Sequence, residues 1–207
     1  MHDSHEYSIM GHSRSNLGRH LGTVATVAAT LGLLIAAPLF AFVQNLNVLR
    51  GSGQFIFWPL TAGFFFLVVH GLFNSWLWKS ALGRRFFGIP NVSGRYHCDG
   101  QTIENGKIVR EWTAVVDIFQ TWEKFRVHLK TSQSGSKSEI ASISNDSDGC
   151  AVLLYSFSNE PKTGEAELTP HMGFCKMRFE RDGHAEGEYH NVKGRGTEGR
   201  MIWRRED

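Results

Sequence analysis

Lys124-Phe-Arg-Val-His-Leu-Lys130 alternates without a break. Phe125, Val127 and Leu129 fall on one face of an extended chain, and Lys124, Arg126, His128 and Lys130 on the other. A period of two with one apolar face predicts a half-buried β-strand. Working outward, the same pattern recurs in Ala151-Val-Leu-Leu-Tyr-Ser-Phe157 and in Cys175-Lys-Met-Arg-Phe179. Turn signals separate the runs: Glu104-Asn105-Gly106, Ser134-Gly135-Ser136, Asp146-Ser147-Asp148-Gly149, Asp182-Gly183 and Lys193-Gly194-Arg195-Gly196. Between Gly94 and Arg205 the period predicts eight strands in an antiparallel meander. No helix is available there to cover the apolar face. Closure into an eight-stranded antiparallel up-and-down β-barrel removes the edges and supplies the core. A barrel of that size has a lumen wide enough for side chains or one small ligand. The longest irregular connection, Ser158 to His171, is expected to act as a binding loop.

Upstream the sequence changes character. Leu21–Val43 and Phe55–Trp78 are apolar runs of more than 20 residues with no Asp, Glu, Lys or Arg. Either is long enough, as a helix, to cross a hydrocarbon core of about 30 Å. The first run is too long for a signal-peptide core, and a second follows closely. The expected organisation is a disordered cytoplasmic tail over 1–20, an N-terminal transmembrane α-helical hairpin over 21–85, and a cytoplasmic all-β domain over 86–207. Arg14 and Arg19 precede the first run, and Lys79, Arg84 and Arg85 follow the second, whereas the intervening loop carries only Arg50. That bias predicts cytoplasmic N- and C-termini. Trp58 and Trp78 are spaced as two interfacial belts would be.

Bulk properties exclude several classes. A net charge of +2 over 207 residues gives no case for a DNA or RNA partner. Cys98, Cys150 and Cys175 are far apart, with no CxxC pair, which argues against a zinc site and for reduced thiols. No GxSxG, HExxH or P-loop motif is present, so no catalytic set is expected and the protein is read as a non-enzyme.

A series of short motifs follows the two apolar runs in order: Gly88-Ile-Pro-Asn-Val-Ser-Gly94-Arg-Tyr96, Gln120-Thr-Trp122 leading to Thr131, Ser134, Ser136 and Ser138, Leu154-Tyr-Ser-Phe-Ser-Asn-Glu-Pro161, His171-Met-Gly173, Gly187-Glu-Tyr189 and Gly196-Thr-Glu-Gly199. In that order the chain resembles the two-transmembrane β-barrel (S-2TM-beta) effectors of bacterial CBASS antiphage defence. It departs from them at Tyr96, where Trp is usual, and at Ala185, where Leu is expected. The resemblance implies a receptor for a cyclic oligonucleotide messenger, usually a cyclic dinucleotide, made by a partner nucleotidyltransferase. Capture would drive homo-oligomerisation of the hairpins, disrupt the lipid bilayer of the inner membrane and cause abortive infection. No cofactor is implied, the cyclic nucleotide being an activating ligand.

Such a ligand offers two base faces, base edges and two phosphates. Trp122, Tyr155 and Tyr189 are the stacking candidates, with barrel core as the competing role. Gln120, Thr131, Ser138 and Asn159 are candidates to read base edges, against ordinary turn or strand-end bonding. His171 is a candidate for a phosphate or for capping its loop. Arg95 and Arg195, each beside a glycine near a barrel rim, are the phosphate candidates. The alternative function is a membrane-tethered, lipocalin-like carrier of an apolar small molecule, which would need a mainly apolar lumen.

Overall fold

The computed structural model describes residues 4–10, 22–24, 26–27, 29–35, 37–38, 41, 67–68, 70–165, 169–193 and 196–206. Two units are distinct: residues 12–80, and residues 1–11 together with 81–207.

Among the described residues the second unit is a closed barrel of nine strands, not eight. They are β1 (His5–Ile9), β2 (Gly94–Glu104), β3 (Lys107–Gln120), β4 (Lys124–Lys130), β5 (Ser134–Asn145), β6 (Ala151–Pro161), β7 (His171–Phe179), β8 (His184–Lys193) and β9 (Glu198–Arg205). Strands β2 to β9 follow the chain as an antiparallel meander, and β9 returns to β2. The extra strand corrects the expected up-and-down barrel in number and in kind. β1 lies in the stretch read as a disordered tail, pairs antiparallel with β4, and pairs parallel with β5 through Tyr7, Ser8 and Ile9. One apolar residue explains its place: Tyr7 is buried, with its ring 5.2 Å from that of Phe125 and its hydroxyl donating to the Thr121 carbonyl at 3.1 Å.

The expected hairpin over 21–85 is also corrected. Among the described residues no helix is long and apolar enough to cross a membrane, which sets the chain apart from the two-transmembrane subtype expected above. Hydropathy registers composition, whereas crossing needs an unbroken helix of about 20 residues. The second apolar run lacks that at its end. Its α-helix stops at Ser75, and the chain tightens into a 3-10 turn at Leu77–Lys79. Trp78, read as an interfacial anchor, is fully buried and donates its indole N–H to the Asn74 carbonyl at 2.9 Å. Trp58 and Arg50 lie outside the described residues.

Turn chemistry sets the barrel's register. Asn105 and Gly106 both take positive φ, 50° and 75°, as a two-residue hairpin of the twist-matched kind requires. The strands bury alternate residues, as β6 shows with Ala151, Leu153, Tyr155, Phe157 and Asn159. The inward set forms one core with Phe125, Val127, Val116, Cys98, Ile143, Met177 and Trp203. All three cysteines are free and buried.

The two ends of the barrel differ. At one end sit the starts of β2 and β6 and the ends of β3 and β9, and there the mouth is plugged. Helix α1 (Ala81–Phe87) ends at Gly88, whose φ of 62° suits a helix C-terminus. Residues Ile89 and Val92 are buried beyond it. Buried Gln120 pins this plug, accepting the Val92 N–H at 2.9 Å and donating to the Pro90 carbonyl at 3.0 Å. Tyr96 donates to the Val92 carbonyl at 2.9 Å, and Asn145 donates to the Gly88 carbonyl at 2.6 Å. The Gly88–Gly94 motif is therefore a stopper for the barrel.

Candidate functional site

The opposite half of the lumen holds a cavity of about 350 Å³. That volume is at the small end of the range of about 300–1,000 Å³ usual for small-molecule sites. Of its lining residues Met201 and Tyr155 are the most buried, 3% and 4% exposed, and Leu129 adds an apolar side chain beside Ser136. Three further aromatic side chains line the wall: Trp112 on β3, Phe157 on β6 and Tyr189 on β8.

Each of these three rings faces a glycine across a strand pair: Trp112 opposite Gly100, Phe157 opposite Gly173, and Tyr189 opposite Gly199. A β-carbon at Gly173 would fall 2.6 Å from Phe157 Cζ, and one at Gly199 would fall 2.5 Å from Tyr189 Cε1. At Gly100 it would overlap the Trp112 indole. Real Cβ contacts of that kind do not occur, so only glycine lets these rings lie back against the wall. The consequence is that all three rings pack over the facing glycines at the cavity wall. Trp112 and Tyr189 meet edge-on, centroids 5.9 Å apart at 64°.

A polar rim surrounds them. Thr102 and Tyr189 share a hydroxyl–hydroxyl bond of 2.9 Å. Register aligns Ser136, Asn159 and His171 across β5, β6 and β7. Asn191 donates to Thr197 at 2.8 Å, while its carbonyl oxygen is buried without a hydrogen-bond partner among the described residues. A buried unpaired acceptor favours an incoming N–H or O–H donor. Arg110 stands exposed at the mouth and donates to Gln133 Oε1 at 2.5 Å. Gln133 in turn donates to Glu165 at 3.2 Å, and Lys162 donates to the Ser132 carbonyl at 2.8 Å. These bonds tie the β4–β5 turn to the segment after β6.

The sequence-derived candidates divide between the two ends of the barrel. Thr131, Tyr155, Asn159, His171 and Tyr189 line the cavity. Thr131 also builds the β4–β5 turn, accepting the Gln133 and Ser134 N–H groups at 3.1 and 2.8 Å. The His171 ring lies 3.0 Å from the Thr169 carbonyl, tethering the loop end. Tyr155 lies opposite Cys175, and burial pushes its hydroxyl well above the ordinary tyrosine value, so it is neutral and half core. Gln120 belongs to the plug. Trp122 is at the same closed end, edge-on to Phe87 at 4.9 Å. Ser138 bonds the backbone N–H of Val127 and the ring of His5, beside the seam where β1 enters. Arg95 is on the outer wall, 3.5 Å from both Asp117 and Glu206. Arg195 lies outside the described residues.

Sequence reading passed over Trp112, Phe157 and Arg110. The signal for Trp112 is the paired glycine, and a β-bulge hid it. The register of β2 and β3 shifts between Thr102 and Ile103, so counting back from the Asn105-Gly106 turn sets Gly100 against Glu111 instead of Trp112.

A closed barrel stoppered at one end, open at the other, and lined there by aromatic faces and polar groups defines a receptor for a polar, ring-containing small ligand. The comparisons agree with that class. The family described as Cap15, cyclic dinucleotide receptor domain, matches residues 87–205. The CD-NTase-associated protein 15 of Yersinia aleksiciae is 37% identical over 201 residues, covering 96% of each chain. This chain belongs to the Cap15 cyclic dinucleotide receptor family and is a CBASS effector that binds a cyclic dinucleotide.

Proposed function

We propose that the messenger sits in the open half of the lumen with its bases against Trp112, Tyr189 and Phe157, and that its capture drives self-association at the bacterial inner membrane. One observation carries the placement: three aromatic rings, each packed over a facing glycine, line one cavity. Base–aromatic stacking contributes about 1–3 kcal/mol per base and tolerates sequence, because every base has a π-face. Base edges meet the Ser136–Asn159–His171 row and the unpaired Asn191 oxygen. Phosphate, which favours the planar guanidinium fork, meets Arg110 at the mouth.

The effector step concerns the other unit. Among its described residues Leu31, Leu34, Leu67 and Leu72 are 54%, 67%, 68% and 52% exposed. Apolar side chains left in water at that density favour lipid or further copies of the chain. The reading is a non-catalytic receptor facing the cytoplasm, where a linked nucleotidyltransferase makes the messenger. Its clustering damages the inner membrane and ends the infection before phage release. A thermal-shift panel of cyclic di- and trinucleotides on the full chain identifies the ligand, since binding stabilises the folded state that holds it. Co-expression with the nucleotidyltransferase should then admit a membrane-impermeant dye. Dye exclusion by cells making both components would overturn the effector step.

A further inference from the structure

We propose that the seam between β4 and β5 is a strand-acceptor slot, filled in the assembled effector by β1 of a neighbouring copy. The inference rests on the reading that messenger capture drives self-association, and it names the contact.

The slot is visible in the register. β4 and β5 pair directly only at His128–Lys130 with Lys137–Gly135. One step further along that register would set Val127 opposite Ser138. There the strands part. The Val127 N–H is taken by the Ser138 hydroxyl at 2.9 Å in place of a backbone carbonyl. β1 enters beyond this fork, with His5 and Glu6 against Phe125 and Lys124, and Tyr7, Ser8 and Ile9 against Ala141, Ser142 and Ile143. The His5 ring lies 2.8 Å from the same Ser138 hydroxyl. The slot therefore offers two parallel rows of backbone groups, a side-chain anchor at the fork, and a buried place for one aromatic ring. That is the recognition mode of an added strand, in which main-chain bonds give affinity and alternate side chains give fit.

The occupant follows from the chain itself. His5-Glu-Tyr-Ser-Ile9 is the segment that the slot already fits, and every copy carries it. Residues 10–80 separate β1 from α1, so the strand is joined to its own barrel only through a long connection. So long a connection holds the strand at its own barrel only at a low effective concentration, so a crowded neighbouring barrel can compete for it. Exchange of an identical element makes no new kind of contact, and copies gathered on a surface supply it at high effective concentration. If each copy donates to the next, the contact is head-to-tail and does not close at two, which suits a growing assembly. The messenger site adjoins the fork: Ser136 lines the cavity, and Ser138 lies two residues further along the same inward face of β5.

Exposed Glu6 and half-buried Lys124 are register partners, whereas the native cysteines are buried. Full-length chains carrying either Glu6→Cys or Lys124→Cys, with different tags, are mixed in detergent. They are oxidised with and without cyclic di-AMP, cyclic di-GMP or cyclic GMP–AMP. The expected product with the binding nucleotide is a disulfide-linked species bearing both tags. The double variant, oxidised before ligand is added, locks β1 in its own barrel. It should keep the ligand-induced thermal shift and lose the high-mass species seen by sedimentation. Assembly of the locked chain to the wild-type extent would overturn the proposal. So would absence of any two-tag species while the wild type assembles. Loss of the thermal shift in the wild type would instead overturn the messenger reading, and the two-tag product at high protein concentration would still decide exchange.

Discussion

Tyr189 on β8 lies directly opposite Gly199 on β9, and the ring occupies the space that any β-carbon at 199 would need. Gly199→Val therefore pushes the ring off the wall and, because the Gln101 carbonyl of β2 crowds the same space, also strains the β2–β9 pairing. Overpacking of this kind costs about 1–3 kcal/mol of stability. Binding should fall as well, by at least tenfold, about 1.4 kcal/mol, measured by calorimetry on the variant that still folds.

Removing a platform should act without that strain. Trp112→Ala and Tyr189→Ala each delete a ring at the cavity wall, and each should weaken binding by the stacking contribution, about 1–3 kcal/mol. Tyr155→Ala behaves differently. Its ring is buried between Trp203 and Phe157, with centroids 6.3 and 6.2 Å away. Loss of an aromatic side chain from a core costs about 3–5 kcal/mol of stability, so its melting temperature should fall far more than that of Trp112→Ala.

The two ends of the barrel separate two arginines. Arg110→Ala, at the open mouth, should reduce affinity about tenfold and flatten its dependence on salt, as loss of a phosphate partner does. Arg95→Ala, on the outer wall beside Asp117 and Glu206, should leave both unchanged. Titration at two ionic strengths distinguishes them.

Gln120 should prove structural. Gln120→Leu strands the Val92 N–H and the Pro90 carbonyl inside the plug. A buried group left unpaired costs about 1–3 kcal/mol, and chemical denaturation should show a loss in that range. Affinity for the messenger, corrected for unfolded protein, should be unaffected.

His128 gives a pH signature. Partial burial and the neighbouring Lys130, Lys137 and Arg126 charges hold its imidazole below its ordinary value, with Asp117 opposing them. The folded chain thus resists a proton that the unfolded chain accepts near pH about 6.5. Below that pH the unfolded state binds more protons, so stability falls as pH falls. His128→Gln should lessen the drop in melting temperature between pH about 7 and about 5.

Strand pattern and turns of the domain after Pro90 were legible because period two and Asn-Gly chemistry are local. Phe125, Val127 and Leu129 do point inward, as alternation requires. β1 was not legible. Five residues with one buried tyrosine carry almost no periodic signal, and their partners lie more than a hundred residues downstream. The apolar runs misled for the opposite reason, since composition says nothing of where a helix stops. At the site, Tyr155, Asn159 and Tyr189 could be picked out because long polar-aromatic strands must put something inward. Which end of the barrel a residue occupies depends on register and on the plug. That is why Gln120, Trp122 and Arg95 read like their lumenal counterparts yet sit elsewhere.

The central claim is that the messenger occupies the open half of the lumen, and a crystal structure of the chain with its cyclic dinucleotide tests it most directly. The account predicts density in the cavity, with a base stacked on Trp112 or Tyr189 and phosphate at Arg110. A nucleotide bound on the outer wall or at the plugged end, with the cavity filled only by water, would contradict it.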